Sequence, residues 1–200
     1  MRTRLAVLGL LVAPAWADDV ATLEPVIAAQ KDKVGAILLQ QQRGLEDGCG
    51  ALAVLMPSAV SVFVPPSKQG EALAQGHWQV RYAVDACGEA KLRNVDMKVV
   101  NGQVALEPLA PGDSLADAAL QADVRRSFSM AGQVAMPQCA EAAVIREATV
   151  RAYPKTPTDR WQELWIGRMC GRDVGQVVEF LPTKGGTTFK MSLPTATAAE

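Results

Sequence analysis

The sequence lacks most of the side chains on which several large protein classes depend. It has one histidine, His77, and four cysteines without a C-x-x-C pair, so it cannot supply a multi-histidine zinc site, a zinc ribbon or a thioredoxin-like redox motif. Its 20 Lys+Arg and 21 Asp+Glu give a net charge of -1, without the basic excess that neutralises nucleic-acid phosphates. No phosphate-binding loop, serine-hydrolase elbow or H-E-x-x-H motif occurs. We expect no metal, no cofactor and no nucleic-acid partner.

The N-terminal segment, from Met1 to Ala17, has the layout of a secretory signal peptide. Residues 1–4 are basic, residues 5–12 form an apolar run, and Ala15-Trp16-Ala17 is a small-x-small cleavage site. The apolar run is too short to span the ~30 Å of bilayer hydrocarbon, and no later stretch is long enough. The pattern predicts cleavage after Ala17 and a soluble protein, without a membrane span, that is periplasmic or secreted.

An internal repeat divides the rest of the chain. The shift along the chain that carries Trp78 onto Trp161, which we call the repeat offset, aligns two segments without a gap. It preserves the spacings Trp-x8-Cys-Gly and Cys-x14-Gly. The identical pairs include Trp78 and Trp161, Gln79 and Gln162, Cys87 and Cys170, and Gly102 and Gly185. Upstream, a different offset aligns residues 60–66 with 148–154 and Cys49 with Cys139. We interpret the pattern as an internal duplication.

The four cysteines fit this duplication. Export would place them in an oxidising compartment, where an even number is typical of disulfide bonds. Four cysteines allow three pairings, and the repeat favours the same bond within each copy. We predict Cys49–Cys87 and Cys139–Cys170, because bridges between the copies would require the repeats to interlock.

Hydrophobic periodicity predicts an α+β fold in which each copy is a helix followed by a small antiparallel sheet stapled by one disulfide. The first copy has a predicted helix over 23–43, with Pro25 in its first turn. Its predicted strands are 52–56, 60–64, 78–84, 95–99 and one from 104, with a hairpin at Asn101-Gly102. The second copy has a predicted helix over 115–129, opened by Ser114 with Asp117, and strands near 144–153, 161–169, 174–181 and 187–193.

The predicted organisation has four parts. These are a signal peptide at 1–17, a first helix-plus-sheet repeat at 18–110, a second repeat at 111–193 and a flexible tail at 194–200. The boundary between the repeats lies in the Pro- and Gly-containing segment 108–113. The two repeats could form separate lobes or share one continuous sheet.

The second copy carries a set of short motifs at fixed spacing. They are Glu163-Leu164-Trp165, Cys170-Gly171, Phe180-Leu181-Pro182 and Gly185-Gly186-Thr187-Thr188-Phe189. This resembles the E-x-W, C-G, F-x-P and G-G-T-x-F pattern of exported proteobacterial proteins whose function is uncharacterised. The resemblance is confined to the C-terminal part of the chain that holds these motifs, and the first copy departs from it. It implies an exported, disulfide-bonded domain and no particular chemistry.

The candidate ligand-binding residues are Trp161, Glu163, Trp165 and Arg168. Alternation along a strand places the first three on one face, where the two indoles could stack on a sugar ring. In the alternative interpretation, which we favour, the tryptophans are core aromatics and the Glu163 carboxylate is buried with a partner. Arg160, Arg168 or Arg172 could be that partner.

Two function classes remain open. The first is a non-enzymatic binding or envelope-assembly module that acts on an envelope protein or glycan. The second is an envelope-associated hydrolase or enzyme inhibitor. The first is favoured because the carboxylates are scattered and because His77, the only imidazole, is expected at the surface without a catalytic partner. We therefore assign no catalytic residue.

Overall fold

The computed structural model describes residues 17–45, 50–156 and 158–196, and within them it contains three helices and two antiparallel sheets. The helices are α1 Ala17–Ala29, α2 Lys31–Gly44 and α3 Ala118–Ala135. The strands are β1 Leu52–Gln69, β2 Ala72–Ala86, β3 Glu89–Val100, β4 Gln103–Pro108, β5 Val144–Ala152, β6 Trp161–Met169, β7 Arg172–Thr183, β8 Gly186–Met191 and β9 Thr195–Ala196. The predicted α+β class is confirmed.

The two sheets are separate meanders. One has the strand order β1-β2-β3-β4, and the other has the order β5-β6-β7-β8, with β9 paired to β7. Strand β9 falls in the segment predicted as a tail. Residues 1–16, which hold most of the predicted signal peptide, lie outside the described residues. Within the described ranges, no helix is long and apolar enough to cross a membrane.

The single helix predicted over 23–43 is two helices that break at Gln30. Gln30 donates to the Ile27 carbonyl at 3.1 Å, while its own carbonyl accepts from Val34 N at 2.9 Å, so it ends one helix and begins the next. Because α1 begins at Ala17, Pro25 lies inside it and not in the first turn as predicted. Periodicity missed the break because apolar residues on both helices face the same sheet.

The edge strand β1 is continuous where the sequence predicted two strands. It runs for 18 residues, past Pro57 and past the proline pair at 65–66. Proline lacks an N–H, but on an edge strand that group can face away from the ladder, so it need not end the strand. Register shifts between Pro57 and Ala59 and between Val62 and Val64 absorb the irregularity as bulges.

Two-residue turns join the central strands. Asn101 (φ 52) and Gly102 (φ 74) form the predicted hairpin between β3 and β4. Cys87 (φ 59) joins β2 to β3, and Cys170 (φ 46) joins β6 to β7, each followed by a glycine at positive φ. Positive φ at both central residues is typical of the hairpin turns whose twist matches that of the strands.

The β2–β3 and β6–β7 hairpins have the same register. Trp78 pairs with Met97, and at the repeat offset Trp161 pairs with Phe180. The upstream strands differ from the sequence alignment, since Val60 pairs with Val80 and Val150 pairs with Glu163. Val80 and Glu163 are related by the repeat offset, so their partners Val60 and Val150 are structurally equivalent. The predicted alignment of 60–66 with 148–154 instead matched Val60 with Ala148, two residues earlier. The difference arises because the two edge strands carry different bulges.

Helix α3 begins later than predicted and continues further. Asp117 is its N-cap, and the carboxylate accepts from Leu120 N at 2.8 Å. Ser114 instead lies in the linker that precedes the helix, where its hydroxyl accepts from Ala116 N at 3.2 Å. The predicted capping pair was therefore wrong in its first member, although Asp117 satisfies an N–H that the helix start leaves without a partner.

Each sheet packs one face against helices. Buried Leu23, Ile27, Val34 and Leu38 from α1 and α2 cover the face of the first sheet that carries Trp78, Val80, Tyr82, Val84, Val95 and Met97. Val124 and Phe128 of α3 cover the face of the second sheet that carries Trp161, Trp165, Val178 and Phe180. The opposite face of β2 and β3 is polar, since it bears Gln79, Arg81, Asn94 and Asp96.

One disulfide joins the segment after α3 to the turn between β6 and β7. Cys139 and Cys170 are bonded with their Cα atoms 6.0 Å apart, as predicted. Cys49 lies outside the described residues, so the Cys49–Cys87 bond stays a prediction. No cysteine among the described residues is free.

The Cys139–Cys170 bond closes a loop with a sequence separation of 31. Replacing it with Cys139→Ser and Cys170→Asn should lower the free energy of unfolding by about 3–4 kcal/mol in the chain-entropy description. Asn is used at 170 because it tolerates positive φ. Urea denaturation checks this. Non-reducing peptide mapping of the parent protein should recover Cys139–Cys170 and Cys49–Cys87, whereas a Cys87–Cys170 peptide would contradict both.

Candidate functional site

The linker of residues 109–116 runs between the two sheets and is hydrogen-bonded to both. On one side, Gly112 N donates to Leu92 O of β3 at 3.0 Å. On the other, Ala148 N of β5 donates to Pro111 O at 2.7 Å, and Asp113 N donates to Ala148 O at 3.0 Å. Gly112 has φ 108, and a Cβ there would overlap the Ala148 carbonyl, so the close approach requires glycine.

The buried carboxylate of Glu163 anchors this linker to β6. Its Oε1 accepts from Leu115 N at 2.9 Å and from Trp161 Nε1 at 2.9 Å, and its Oε2 accepts from Trp165 Nε1 at 2.8 Å. Glu163 and Trp165 are each 0% exposed. The carboxylate is satisfied by the two indoles and one backbone N–H. None of the arginines predicted as its partner takes part.

Three of the four candidate binding residues therefore lie together, and the fourth does not. Trp161, Glu163 and Trp165 are buried on the helix-covered face of β6, and Trp161 stacks on Phe180 with ring centroids 4.6 Å apart. Arg168 lies on the opposite face, where its Nε donates to Asp173 Oδ1 at 2.9 Å. This hydrogen bond is the main cause that lowers the pKa of Asp173. Ligand binding by these four residues stays a prediction.

Arg81 fixes the linker to the first sheet. Its Nη2 donates to the carbonyl oxygens of Asp113 at 2.7 Å and Ser114 at 3.2 Å, and its Nε donates to Asn94 Oδ1 at 3.2 Å. The Asn94 amide in turn donates to Gly112 O at 3.0 Å. The guanidinium therefore has a defined orientation on the polar face of β2.

A cleft of about 180 Å³ opens beside this guanidinium. Its polar lining consists of Ser61, Gln79, Arg81, Asn94 and Ser114. Gln79 is only 6% exposed, yet its side-chain amide makes no hydrogen bond within the described residues. Neither polar atom of this amide is among the buried atoms without a partner, so the amide is accessible to solvent, and a ligand in the cleft could take the place of that solvent.

His77 and Asp96 form a second polar pair on the same face. His77 Nε2 lies 2.7 Å from Asp96 Oδ1, and the side chains are 25% and 10% exposed. The His77 ring also contacts Phe63, with centroids 5.0 Å apart. His77, which was expected at the surface, is half-buried beside a carboxylate.

Asp113 joins the linker to β5 and to Tyr153. Its Oδ1 accepts from Val150 N at 2.7 Å, and its Oδ2 accepts from the Tyr153 hydroxyl at 2.6 Å. Partial burial and then this hydrogen bond raise the pKa of Tyr153 to about 12. Burial alone raises the pKa of Tyr82 to about 12.

Gln79, Arg81 and Asn94 were not among the predicted site residues. Strand alternation predicts that Gln79 and Arg81 lie on the polar face of β2, which is correct. It did not predict which groups cover that face. The register around the Cys87 turn was the available signal, because it places Arg81 opposite Asn94 and Gln79 opposite Asp96.

Comparison of the chain with protein-family models, curated proteins and solved structures finds no match.

Replacing Glu163 with Gln should lower the free energy of unfolding by about 2–3 kcal/mol, because an amide N–H would then face an indole N–H and one charged acceptor would be lost. Urea denaturation followed by tryptophan fluorescence measures the change. The matched control is Glu179→Gln on β7, where the carboxylate meets the largely exposed Arg160, and a change below about 0.5 kcal/mol is expected. Equal losses in the two variants would contradict the anchoring role of Glu163.

The two tyrosines should ionise late, and stability should fall as they do. A raised folded-state pKa stabilises the fold below the ordinary value of 10.0, and this contribution is lost as the pH rises toward about 12. Asp113→Asn should lower the pKa of Tyr153 toward 10, measured by ultraviolet absorbance titration, with Tyr153→Phe to assign the signal. Asp123→Asn on α3 is the control. An unchanged Tyr153 pKa in Asp113→Asn would contradict the assignment.

Proposed function

We propose that the protein is an exported, non-enzymatic binding module of the bacterial periplasm. The signal-peptide pattern of residues 1–17 and the Cys139–Cys170 bond support export, since disulfides persist in oxidising compartments. The E-x-W, C-G, F-x-P and G-G-T-x-F motifs support the same compartment through their resemblance to exported proteobacterial proteins. The binding partner is expected to be an envelope protein or glycan.

We further propose that the module arose by duplication of one helix-plus-sheet unit. The common register of the β2–β3 and β6–β7 hairpins supports this, as do the positive φ values of Cys87 and Cys170 in equivalent turns. The equivalence extends to polar pairs. The repeat offset carries His77 and Asp96 onto Arg160 and Glu179, which form an ion pair of their own.

The ligand site that we propose is the cleft on the polar face of β2 and β3. The observation that carries this proposal is Gln79, a residue only 6% exposed that lines the cleft and whose solvent-accessible amide has no hydrogen-bond partner within the described residues. Two other buried polar side chains beside the linker, Asn94 and Glu163, already bind protein donors. A protein that binds a polar solute needs convergent unsatisfied groups in a concave site, and Gln79 supplies one.

A hydrolase remains the second candidate because of the His77–Asp96 pair. A histidine oriented by a carboxylate is the base of many nucleophilic enzymes. Such an enzyme also needs a nucleophile within reach of the imidazole, and within the described residues the only hydrogen bond of the His77 side chain is to Asp96. The equivalent Arg160–Glu179 pair supports reading His77–Asp96 as a cross-strand contact of the scaffold.

The test compares two glutamines that the repeat makes equivalent. A panel of amino acids, small sugars and organic acids is screened by ligand-observed NMR against the purified protein. Hits should lose binding at least about fivefold in Gln79→Met and keep it within about twofold in Gln162→Met, since only Gln79 lines the cleft. Equal effects of the two variants would contradict the site.

The same proteins are assayed for turnover of esters, glycosides, peptides and phosphate esters. The binding-module proposal predicts no turnover. Turnover that His77→Asn abolishes, without a change in melting temperature, would replace the binding module with the hydrolase.

A further inference from the structure

We propose that the cleft recognises an oxyanion, a carboxylate or phosphate group of its ligand, between the guanidinium of Arg81 and the side-chain amide of Gln79. This inference rests on the proposed function, which places the ligand in the cleft. It adds the chemical class of the group that is bound. Three features of the described residues support it: the charge of Arg81, the position of Gln79 and the composition of the equivalent face of the second sheet.

The charge of Arg81 is not neutralised by a carboxylate within the described residues. Its three hydrogen-bond acceptors, Asn94 Oδ1 and the carbonyl oxygens of Asp113 and Ser114, are all neutral. The nearby acidic side chains are directed elsewhere, since the Asp113 carboxylate accepts from Val150 N and Tyr153, and the Asp96 carboxylate contacts His77. An oriented guanidinium with no carboxylate within ion-pair distance favours an anion.

The same contacts leave one edge of the guanidinium available. An arginine has five N–H donors, and Nε and Nη2 of Arg81 use theirs on the linker and on Asn94. Nη1 makes no hydrogen bond within the described residues. The neutral acceptors therefore hold the side chain in one orientation, while the remaining donors can serve a ligand that enters the cleft.

Gln79 supplies the second donor. It lies two residues before Arg81 on β2, so both side chains project from the same face of the strand. Both line the cleft, and Gln79 is buried there, with only 6% of its surface exposed. An amide N–H and a guanidinium N–H on neighbouring positions can donate to the two oxygens of one carboxylate or to two oxygens of one phosphate.

The size of the cleft fits an anionic group and not a large ligand. A volume of about 180 Å³ is smaller than the roughly 300–1,000 Å³ of pockets that enclose drug-sized ligands. The site therefore holds a small acid, or the acidic end of a longer envelope component whose remainder lies outside. Ser61 and Ser114 provide further hydroxyl groups on its wall.

The second sheet keeps the glutamine of this pair as Gln162 but lacks the arginine. The repeat offset carries Arg81 onto Leu164 and Asn94 onto Val177, which are paired across β6 and β7 as Arg81 and Asn94 are across β2 and β3. The duplicated scaffold thus keeps the strand pairing and the glutamine, while the arginine and the asparagine occur in the first sheet alone. A difference of this kind is expected where one copy has acquired a ligand.

The experiment is an NMR titration of the isotope-labelled, purified protein with sodium acetate and with sodium phosphate, at constant ionic strength maintained with sodium chloride. We expect saturable shifts of the Arg81 Nε–H and Gln79 amide signals with at least one of the two anions. Arg81→Gln should weaken binding at least about tenfold, and Gln79→Met about threefold or more. Lys98→Gln is the matched control, since it removes one exposed positive charge from β3 and should change the affinity less than twofold.

Gln79→Met separates recognition from folding, because it leaves every contact of Arg81 with the linker in place. Its melting temperature should match that of the parent protein, whereas Arg81→Gln is expected to melt earlier. Saturation by acetate alone supports a carboxylate-bearing ligand, and saturation by phosphate alone supports a phosphorylated one.

The inference is overturned if neither anion gives saturable shifts at Arg81 and Gln79, or if Lys98→Gln weakens binding as much as Arg81→Gln does. Binding of a neutral solute that shifts the Gln79 amide, in a protein that binds neither anion, overturns the oxyanion inference alone. That result would leave the cleft as the binding site of the proposed function.

Discussion

The rest of the structure depends on one buried carboxylate, that of Glu163, and the three N–H groups that it binds. A charge taken out of water is tolerated only when hydrogen bonds replace its hydration, so the two indoles and Leu115 N must stay where they are. The carboxylate therefore sets the positions of Trp161 and Trp165 in the core. It also holds the linker against the second sheet. Losing one donor would leave the charge underbonded, which costs more than an ordinary hydrogen bond.

The linker transmits this constraint to the first sheet. Leu115 is bound by Glu163, the preceding Ser114 carbonyl is bound by Arg81, and Asn94 holds Gly112. The cleft is thus shaped by groups from both halves of the chain, although Gln79 and Arg81 belong to the first. Loosening of the second sheet would displace the carbonyl acceptors of Arg81. A ligand bound in the proposed cleft would therefore be energetically coupled to the packing of the second sheet.

Local patterns in the sequence were sufficient for the hairpins, because turn chemistry and strand alternation act over a few residues, and the internal repeat was sufficient for the disulfide of the second half. Local patterns failed where the structure depends on groups that are distant in the sequence. The break at Gln30 depends on a sheet that both helices cover, and the continuity of β1 depends on its position at a sheet edge. Leu115, the linker partner of Glu163, lies 48 residues away, and Asp113, the linker partner of Arg81, lies 32 residues away, so no local motif could identify them. Of the site, only the Trp161–Glu163–Trp165 face was foreseeable, since it needs nothing but alternation.

The irregular edge strand β1 has a consequence for self-association. It exposes Leu55, Met56, Phe63 and Val64, a run that in a flat, regular edge strand would recruit further chains into a growing sheet. Pro57 cannot donate to an added strand, nor can the prolines at 65 and 66, and the bulges turn the intervening backbone out of a common plane. An incoming strand could find only short stretches of ladder. The prolines and bulges therefore protect this apolar edge against strand addition, and straightening β1 by replacing its prolines would remove that protection.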